Sequence, residues 1–234
     1  MSAKIFAYCE RGLDPAFWAE PLNAITNGAF IIAALMATWR WQNAPPARRG
    51  WVELYLIVLI YAIGIGSFLF HTFATLWAAF ADTLPIGIFM VSYLAYALRR
   101  YLNLGWLLTV VALIFFFISL RQASVFRCGS EACLNGSFAY VPAFIALVLI
   151  GAILVARRHA AGWSLVLAGM IFAVSLTFRT LDQDLCGYTI IPPARAIGLH
   201  FLWHILNAVL LYVLARAAIL YGQPAKAGGS EKRI

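Results

Sequence analysis

Long apolar stretches, separated by short polar connections, make up most of the chain. Seven of these stretches are each about long enough to cross a hydrocarbon core roughly 30 Å thick. They lie near residues 22–41, 52–70, 84–98, 102–120, 138–155, 162–178 and 197–214. Because a helix satisfies its own backbone hydrogen bonds in lipid, this pattern predicts seven transmembrane helices. The third stretch is the shortest, and we expect its helix to begin before Asp82.

Composition supports this class of protein. Of the 234 residues, 64% are hydrophobic and 11% are charged, and the mean hydropathy is +0.87. These values exclude an ordinary soluble domain and predict an all-α polytopic membrane protein. Residues 1–20 contain no apolar core segment, so we expect no cleavable signal peptide. We expect one seven-helix domain over residues 1–221 and a disordered cytoplasmic tail over residues 222–234.

The basic residues predict the orientation of the chain. With seven spans, eleven Lys and Arg residues fall on one side of the membrane and six on the other. The positive-inside rule then places the N-terminus outside and the C-terminus in the cytoplasm. The formal charge of +8 therefore indicates orientation and not nucleic-acid binding. Only three of the 17 basic residues are lysine. Together with the many alanines, this indicates a GC-rich bacterial genome, and we expect the protein to lie in the bacterial inner membrane.

All four cysteines fall in segments that this topology places outside, namely Cys9, Cys128, Cys133 and Cys186. The outer side is oxidising, which favours disulfides. We expect Cys128 and Cys133 to close a short loop. Cys9 would then pair with Cys186 and connect the N-terminal segment to the loop before the last helix. Free thiols on small loops are the alternative.

Three polar residues stand out near the end of the second apolar stretch and the start of the third: Ser67, His71 and Asp82. Ionisable groups at membrane depth cost roughly 2.5–3.5 kcal/mol each, so they indicate a functional site. Ser67 and His71 are four residues apart and therefore share one helical face. The structural alternatives are that Ser67 is a small packing residue between helices and that Asp82 caps the third transmembrane helix.

The last apolar stretch carries His200 and His204. Two histidines at this spacing project from one helical face and can bind zinc together. His71 lies at the same predicted depth, whereas His159 lies at the cytoplasmic end, where we expect a solvated loop residue. Three histidines with an open fourth position form the catalytic type of zinc site, in which the metal acidifies a bound water. The alternative is that each histidine is a satisfied core residue.

These motifs together resemble the alkaline ceramidase family of seven-helix intramembrane zinc amidases, and in particular its bacterial members. The resemblance extends over nearly the whole chain. It depends on Tyr8–Cys9–Glu10–Arg11, on the segment from Phe17 to Asn23, on Gly66 to Asp82, and on His200 to His204. The loop from Asp182 to Cys186 also resembles the family.

The resemblance implies a role for each candidate residue. His71, His200 and His204 would hold zinc, Asp82 would deprotonate the zinc-bound water, and Ser67 would assist at the carbonyl. Eukaryotic members also bind calcium through an acidic N-terminal segment. Glu10 and Glu20 are the candidate calcium ligands here, but an aspartate and an asparagine ligand are missing, which argues against calcium. Both glutamates would instead pair with Arg11 or Arg179.

We therefore expect an amidase that hydrolyses ceramide, or a similar N-acyl membrane lipid, at the outer (periplasmic) side of the membrane. The alternative is a receptor- or channel-like seven-helix protein with structural zinc, as in the related adiponectin-receptor superfamily. A structural zinc usually has four protein ligands, so direct bonding of Asp82 to the metal would favour this alternative. An ion transporter fits less well because the other helices lack acidic residues at midplane. Oligomeric state stays open.

Overall fold

The computed structural model describes residues 3–191 and 195–222, and most of these residues are helical. Eight α-helices occur in this part of the chain. They are α1 (Pro21–Thr26), α2 (Gly28–Gln42), α3 (Trp51–Phe73), α4 (Leu76–Tyr96), α5 (Trp106–Val125), α6 (Val141–Ala156), α7 (Gly162–Leu181) and α8 (His200–Tyr221).

Short elements connect these helices. A π-helical turn, Ala97–Tyr101, continues α4, and 3₁₀ segments span Pro46–Arg48, Cys133–Tyr140 and Cys186–Tyr188. Two antiparallel pairs of two-residue strands lie in the long connections: β1 (Arg127–Cys128) with β2 (Glu131–Ala132), and β3 (Ile190–Ile191) with β4 (Arg195–Ala196).

Seven helical segments of the described chain are long and apolar enough to cross a membrane, which confirms the predicted number and the all-α class. The first combines α1 and α2, the third adds the π-helical turn to α4, and the fifth adds the preceding 3₁₀ segment to α6. Many large apolar side chains are exposed on α5, including Leu107, Phe115 and Phe117. Such a surface is expected for a helix that faces lipid. The orientation of the termini stays a prediction.

The third transmembrane helix, α4, differs most from the expected bounds. It begins at Leu76, before Asp82 as expected, and Thr75 occupies its N-cap position. Asp82 therefore lies inside the helix, and the interpretation of Asp82 as a helix cap is wrong. The apolar pattern places the start of this helix too late, because Asp82 interrupts that pattern. The last helix also extends beyond residue 214 to Tyr221. The predicted tail lies outside the described residues except for Gly222.

Helix α8 is the most buried of the seven spans and packs against α2, α3 and α7. Helices α3 and α4 form a tight antiparallel pair. The buried core between these helices contains Leu56, Ile60, Leu154, Leu165 and Ala218. The first turn of α8 lies next to the last turn of α3, where the ring centroids of His200 and His71 are 5.2 Å apart. This arrangement brings the candidate residues of both helices together.

Candidate metal centre

Helices α3 and α4 approach each other closely beside the candidate residues Ser67 and Asp82. A Cβ atom on Gly66 would lie only 1.9 Å from the backbone oxygen of Ala81, so only glycine fits there. The two helices are joined by Ala74 and Thr75 alone, and Ala74 adopts the left-handed conformation that ends α3. This close contact brings Ser67 and Asp82, which follow Gly66 and Ala81 in the chain, onto neighbouring parts of the two helices.

The three predicted histidine ligands meet at one point. His71 comes from the last turn of α3, and His200 and His204 come from the first two turns of α8. One nitrogen of each ring lies within 4.8 Å of the other two. The ring centroids are 4.6–5.2 Å apart. All three side chains are buried, with at most 2% of each residue exposed.

The hydrogen bonding of these rings fits a metal ion. Three buried ring nitrogens have no hydrogen-bond partner in the described part of the chain: Nε2 of His71, Nδ1 of His200 and Nε2 of His204. A buried polar atom without a partner costs about 1–3 kcal/mol. Three such nitrogens in one cluster would be unfavourable, whereas a metal ion would satisfy all of them. The donor set therefore fits a metal that accepts imidazole ligands.

The other ring nitrogens of two histidines are already bonded. Nδ1 of His71 lies 2.5 Å from Oε2 of Glu20, and Nδ1 of His204 lies 3.0 Å from Oγ1 of Thr26. The Thr26 hydroxyl is also within reach of two backbone carbonyls of α1, to which it can donate. Both contacts favour the tautomer with hydrogen on Nδ1. That tautomer leaves the Nε2 lone pair free for a metal.

Asp82 lies beside this cluster but is not one of its members. Among the described residues, the group that meets the metal-ligand distances contains three histidines and no carboxylate. Asp82 is 9% exposed, and its Oδ1 atom has no hydrogen-bond partner in the described chain. This geometry matches a site with three protein ligands and an open position, with a carboxylate close by.

Glu20 and Glu10 have defined partners. Oε1 of Glu20 lies 2.5 Å from Nε of Arg11. Burial alone would raise the pKa of Glu20, but the hydrogen bonds from His71 and Arg11 and the charge of Arg11 outweigh burial and lower that pKa. Both oxygens of Glu10 accept backbone N–H groups at the start of α1, from Leu22 and Asn23, at 2.8 Å. Glu10 therefore caps α1.

Asp182 fixes the start of α8, and the sequence analysis did not assign it this role. Its carboxylate accepts the backbone N–H groups of Leu199 at 2.7 Å, His200 at 2.9 Å and Cys9 at 2.9 Å. Gly198 has φ +62°, and a Cβ atom there would lie 2.2 Å from Asp182. Because Asp182 lies 17 residues before Leu199, no local capping pattern could have revealed it.

Both expected disulfides are present, and the described chain has no free cysteine, so the free-thiol alternative is wrong. The Cys9–Cys186 bond ties the N-terminal segment to the loop before α8. The ring of Tyr8, the residue before Cys9, stacks on His200 with centroids 3.7 Å apart. Burial raises the pKa of Tyr8, so its hydroxyl stays protonated. In the sequence, Tyr8 stands out only as part of the Tyr8–Arg11 motif.

Arg179 does not pair with Glu20, which is bonded to Arg11 instead. Its Nη1 donates to the carbonyl of Asn135 at 3.1 Å and to Oγ of Ser137 at 2.9 Å. The guanidinium lies 5.3 Å from the ring centroid of Tyr140 and 5.6 Å from that of Trp203. Arg179 therefore lies near the three histidines, because Trp203 belongs to the same helix turn as His200 and His204.

An apolar cavity begins at Tyr140 and Trp203 and extends along α8 to Leu214. Its volume, counted as the space open to the centre of a water-sized sphere, is about 100 Å³. The eleven-residue distance from Trp203 to Leu214 corresponds to about 16 Å along a helix. Phe89, Phe116 and Leu147 contribute further to its wall. The cavity thus extends from the turn of α8 that carries the histidines toward the interior of the helix bundle, but none of the three histidines lines it.

The comparison with known protein families decides the family of the chain. The family model named Ceramidase matches residues 6–229, which is nearly the whole sequence. The chain belongs to the ceramidase family. None of the curated proteins compared with it matches significantly. For a ceramidase-family protein, the expected chemistry is hydrolysis of a lipid amide, and a cluster of three histidines beside a carboxylate and an apolar cavity is suited to it.

Proposed function

We propose that this ceramidase-family protein is a zinc-dependent amidase. Its substrate would be ceramide or a similar N-acyl lipid, cleaved to a free fatty acid and an amine. The observation that carries the proposal is the group of three buried imidazoles with unpartnered nitrogens. Asp82 lies close to this group, and Trp203, between His200 and His204 in α8, lines the apolar cavity.

Zinc is the metal that this donor set favours, since three histidines with an open position are typical of catalytic zinc. His71, His200 and His204 would hold it. When bound, zinc would polarise the amide carbonyl and lower the pKa of a water molecule. Family membership and the three-histidine group support a metal, and the choice of zinc is our proposal.

Asp82 would act as the general base and then as the general acid. It would take a proton from the attacking water while the water oxygen bonds to the carbonyl carbon. It would return that proton to the amide nitrogen as the C–N bond breaks, so that a fatty acid and an amine are formed. The Ser67 hydroxyl, one turn of α3 before His71, would donate its one hydrogen to the carbonyl oxygen.

The cavity between Trp203 and Leu214 would hold the acyl chain. Its wall is almost entirely apolar, so an acyl chain would bind there by removing apolar surface from water. The amide would then lie at the level of Tyr140 and Trp203, next to the histidines. The head group would extend away from the cavity, toward the N-terminal segment.

We further propose that the site faces the outer, periplasmic side of a bacterial inner membrane. The Cys9–Cys186 disulfide lies at the end of the bundle that carries the histidines, and disulfides persist on the oxidising side. The excess of Lys and Arg at the opposite end agrees with this orientation.

Mass spectrometry of membrane lipids tests the proposed substrate class. We expect membranes that contain the expressed protein to lose an N-acyl lipid and to gain the matching fatty acid and amine. Membranes with an equal amount of the His200→Ala variant should show neither change. If the wild-type protein and His200→Ala give the same lipid profile, the amidase proposal is wrong, and a receptor or channel with a structural metal becomes the better hypothesis.

A further inference from the structure

Arg11 is a buried arginine whose contacts converge on the metal centre. Only 2% of the residue is exposed. All three guanidinium nitrogens donate hydrogen bonds. The acceptors are Oε1 of Glu20 at 2.5 Å and the backbone oxygens of Ala16 at 2.9 Å, Asp14 at 3.2 Å, His71 at 2.9 Å and Thr72 at 3.5 Å. A buried charge is tolerated when it is paired and hydrogen-bonded in this way.

Arg11 is connected to His71 by two separate routes. Nη2 donates directly to the backbone oxygen of His71. Nε donates to Oε1 of Glu20, whose Oε2 accepts the Nδ1 hydrogen of His71 at 2.5 Å. The first route fixes the backbone of His71, and the second fixes the rotation of its ring. The remaining ring nitrogen, Nε2, is the one without a partner.

The end of α3 explains why a cation is needed here. The last carbonyls of a helix have no partner within the helix, and they carry partial negative charge. In α3 these carbonyls include those of His71 and Thr72, and the Glu20 carboxylate lies beside them. A guanidinium neutralises both, and its planar fork can reach the carboxylate and the carbonyls at once.

We propose that Arg11 is a positioning residue of the metal centre. It would be a built-in cation that holds Glu20 against His71 and so maintains the affinity of the three histidines for their metal. No second metal ion would then be needed at Glu20, because both of its carboxylate oxygens already have partners. This inference rests on the metal site of the proposed function, but it concerns metal affinity and not the reaction.

The test measures zinc affinity in the full-length protein in detergent, by competition with a fluorescent zinc chelator. Removing a group that orients a metal-binding histidine typically costs 10–100-fold in metal affinity. We therefore expect Arg11→Met to raise the Kd for zinc by about 10–100-fold. Arg121→Met removes an exposed arginine from the same predicted side of the membrane, and it should leave the Kd unchanged. Formation of the Cys9–Cys186 bond and monodisperse elution check that each variant is folded.

A double-mutant cycle separates positioning from a merely structural role. Arg11→Lys keeps the charge but loses the planar guanidinium. We expect this variant to fold even if Arg11→Met does not. It should still bind zinc more weakly than the wild type. Glu20→Gln should weaken zinc binding as well. If Arg11 acts largely through Glu20, the Kd of the double variant Arg11→Lys/Glu20→Gln should rise by clearly less than the product of the two single effects, because coupled residues are not additive. Independent structural effects would instead multiply.

A calcium titration completes the test. Wild-type zinc affinity should not change when calcium is added or removed with a calcium-selective chelator. The proposal is overturned if folded Arg11→Lys and Arg11→Met bind zinc like the wild type, if the two effects multiply, or if wild-type zinc binding requires calcium. If the Kd values for zinc change as expected but no lipid is hydrolysed, the amidase proposal is rejected and the proposed role of Arg11 is retained.

Discussion

Asp82 is the residue on which the catalytic interpretation depends most. It lies inside α4, so it does not cap the helix, and it is outside the group that meets the metal-ligand distances. Its buried Oδ1 atom has no partner in the described chain. A buried carboxylate in this position can hold a proton at a reacting group, which is the task of a general base.

The substitution Asp82→Asn keeps the size of the side chain and removes its basic site. We expect about one zinc per chain to be retained, as for a site with three histidine ligands. We expect turnover to fall by roughly 10²–10⁴-fold, the usual contribution of a positioned base. Zinc content and fatty-acid release from a short-chain ceramide should be measured on the same preparation. Full activity would reject the assigned role, and loss of zinc would identify Asp82 as a ligand.

The residues of the site differed in how well the sequence could reveal them. His200 and His204 were predictable because their spacing places both on one helical face, and His71 because a histidine is costly at that depth. Thr26 and Asp182 could not be predicted, since their partners lie 178 and 17–18 residues away in the chain. The pairing of Arg11 with Glu20 was one of two alternatives, and the sequence alone did not choose between them.

At the level of helices, hydropathy predicts the number of transmembrane spans but not the start of α4. The stretch from Leu76 to Asp82 belongs to α4, although Asp82 breaks its apolar pattern. The close contact between α3 and α4 at Gly66 was also not predictable, because a glycine in an apolar helix has several explanations. In the structure, any side chain at Gly66 would clash with the backbone of Ala81, the residue before Asp82.

Helix α6 offers a test of the cavity. Ala143 lines the cavity, whereas Ala152 in the same helix is exposed. Ala143→Phe should fill part of the space and lower kcat/KM for a long-chain substrate roughly tenfold or more relative to a short-chain one, because pocket contacts discriminate at this scale. Ala152→Phe should leave the ratio unchanged. The same chain-length preference in both variants would show that the acyl chain lies elsewhere.

For the whole molecule, the untested property is its orientation in the membrane. The charge bias and the two disulfides both predict that the histidine end lies outside. In intact cells, Cys9 and Cys186 should react with a membrane-impermeant maleimide only after treatment with an impermeant reductant. Labelling without reductant would contradict the disulfides. Labelling only after the cytoplasmic side is made accessible would reverse the orientation.

The central claim is that the chain hydrolyses a lipid amide with a metal held by His71, His200 and His204. The most direct measurement is the rate of fatty-acid release from ceramide by the purified protein before metal removal, after removal, and after zinc is returned. We predict that release stops when the metal is removed and recovers with about one equivalent of zinc per chain. Unchanged release after complete metal removal, or no release from any N-acyl lipid by the zinc-loaded protein, would contradict it.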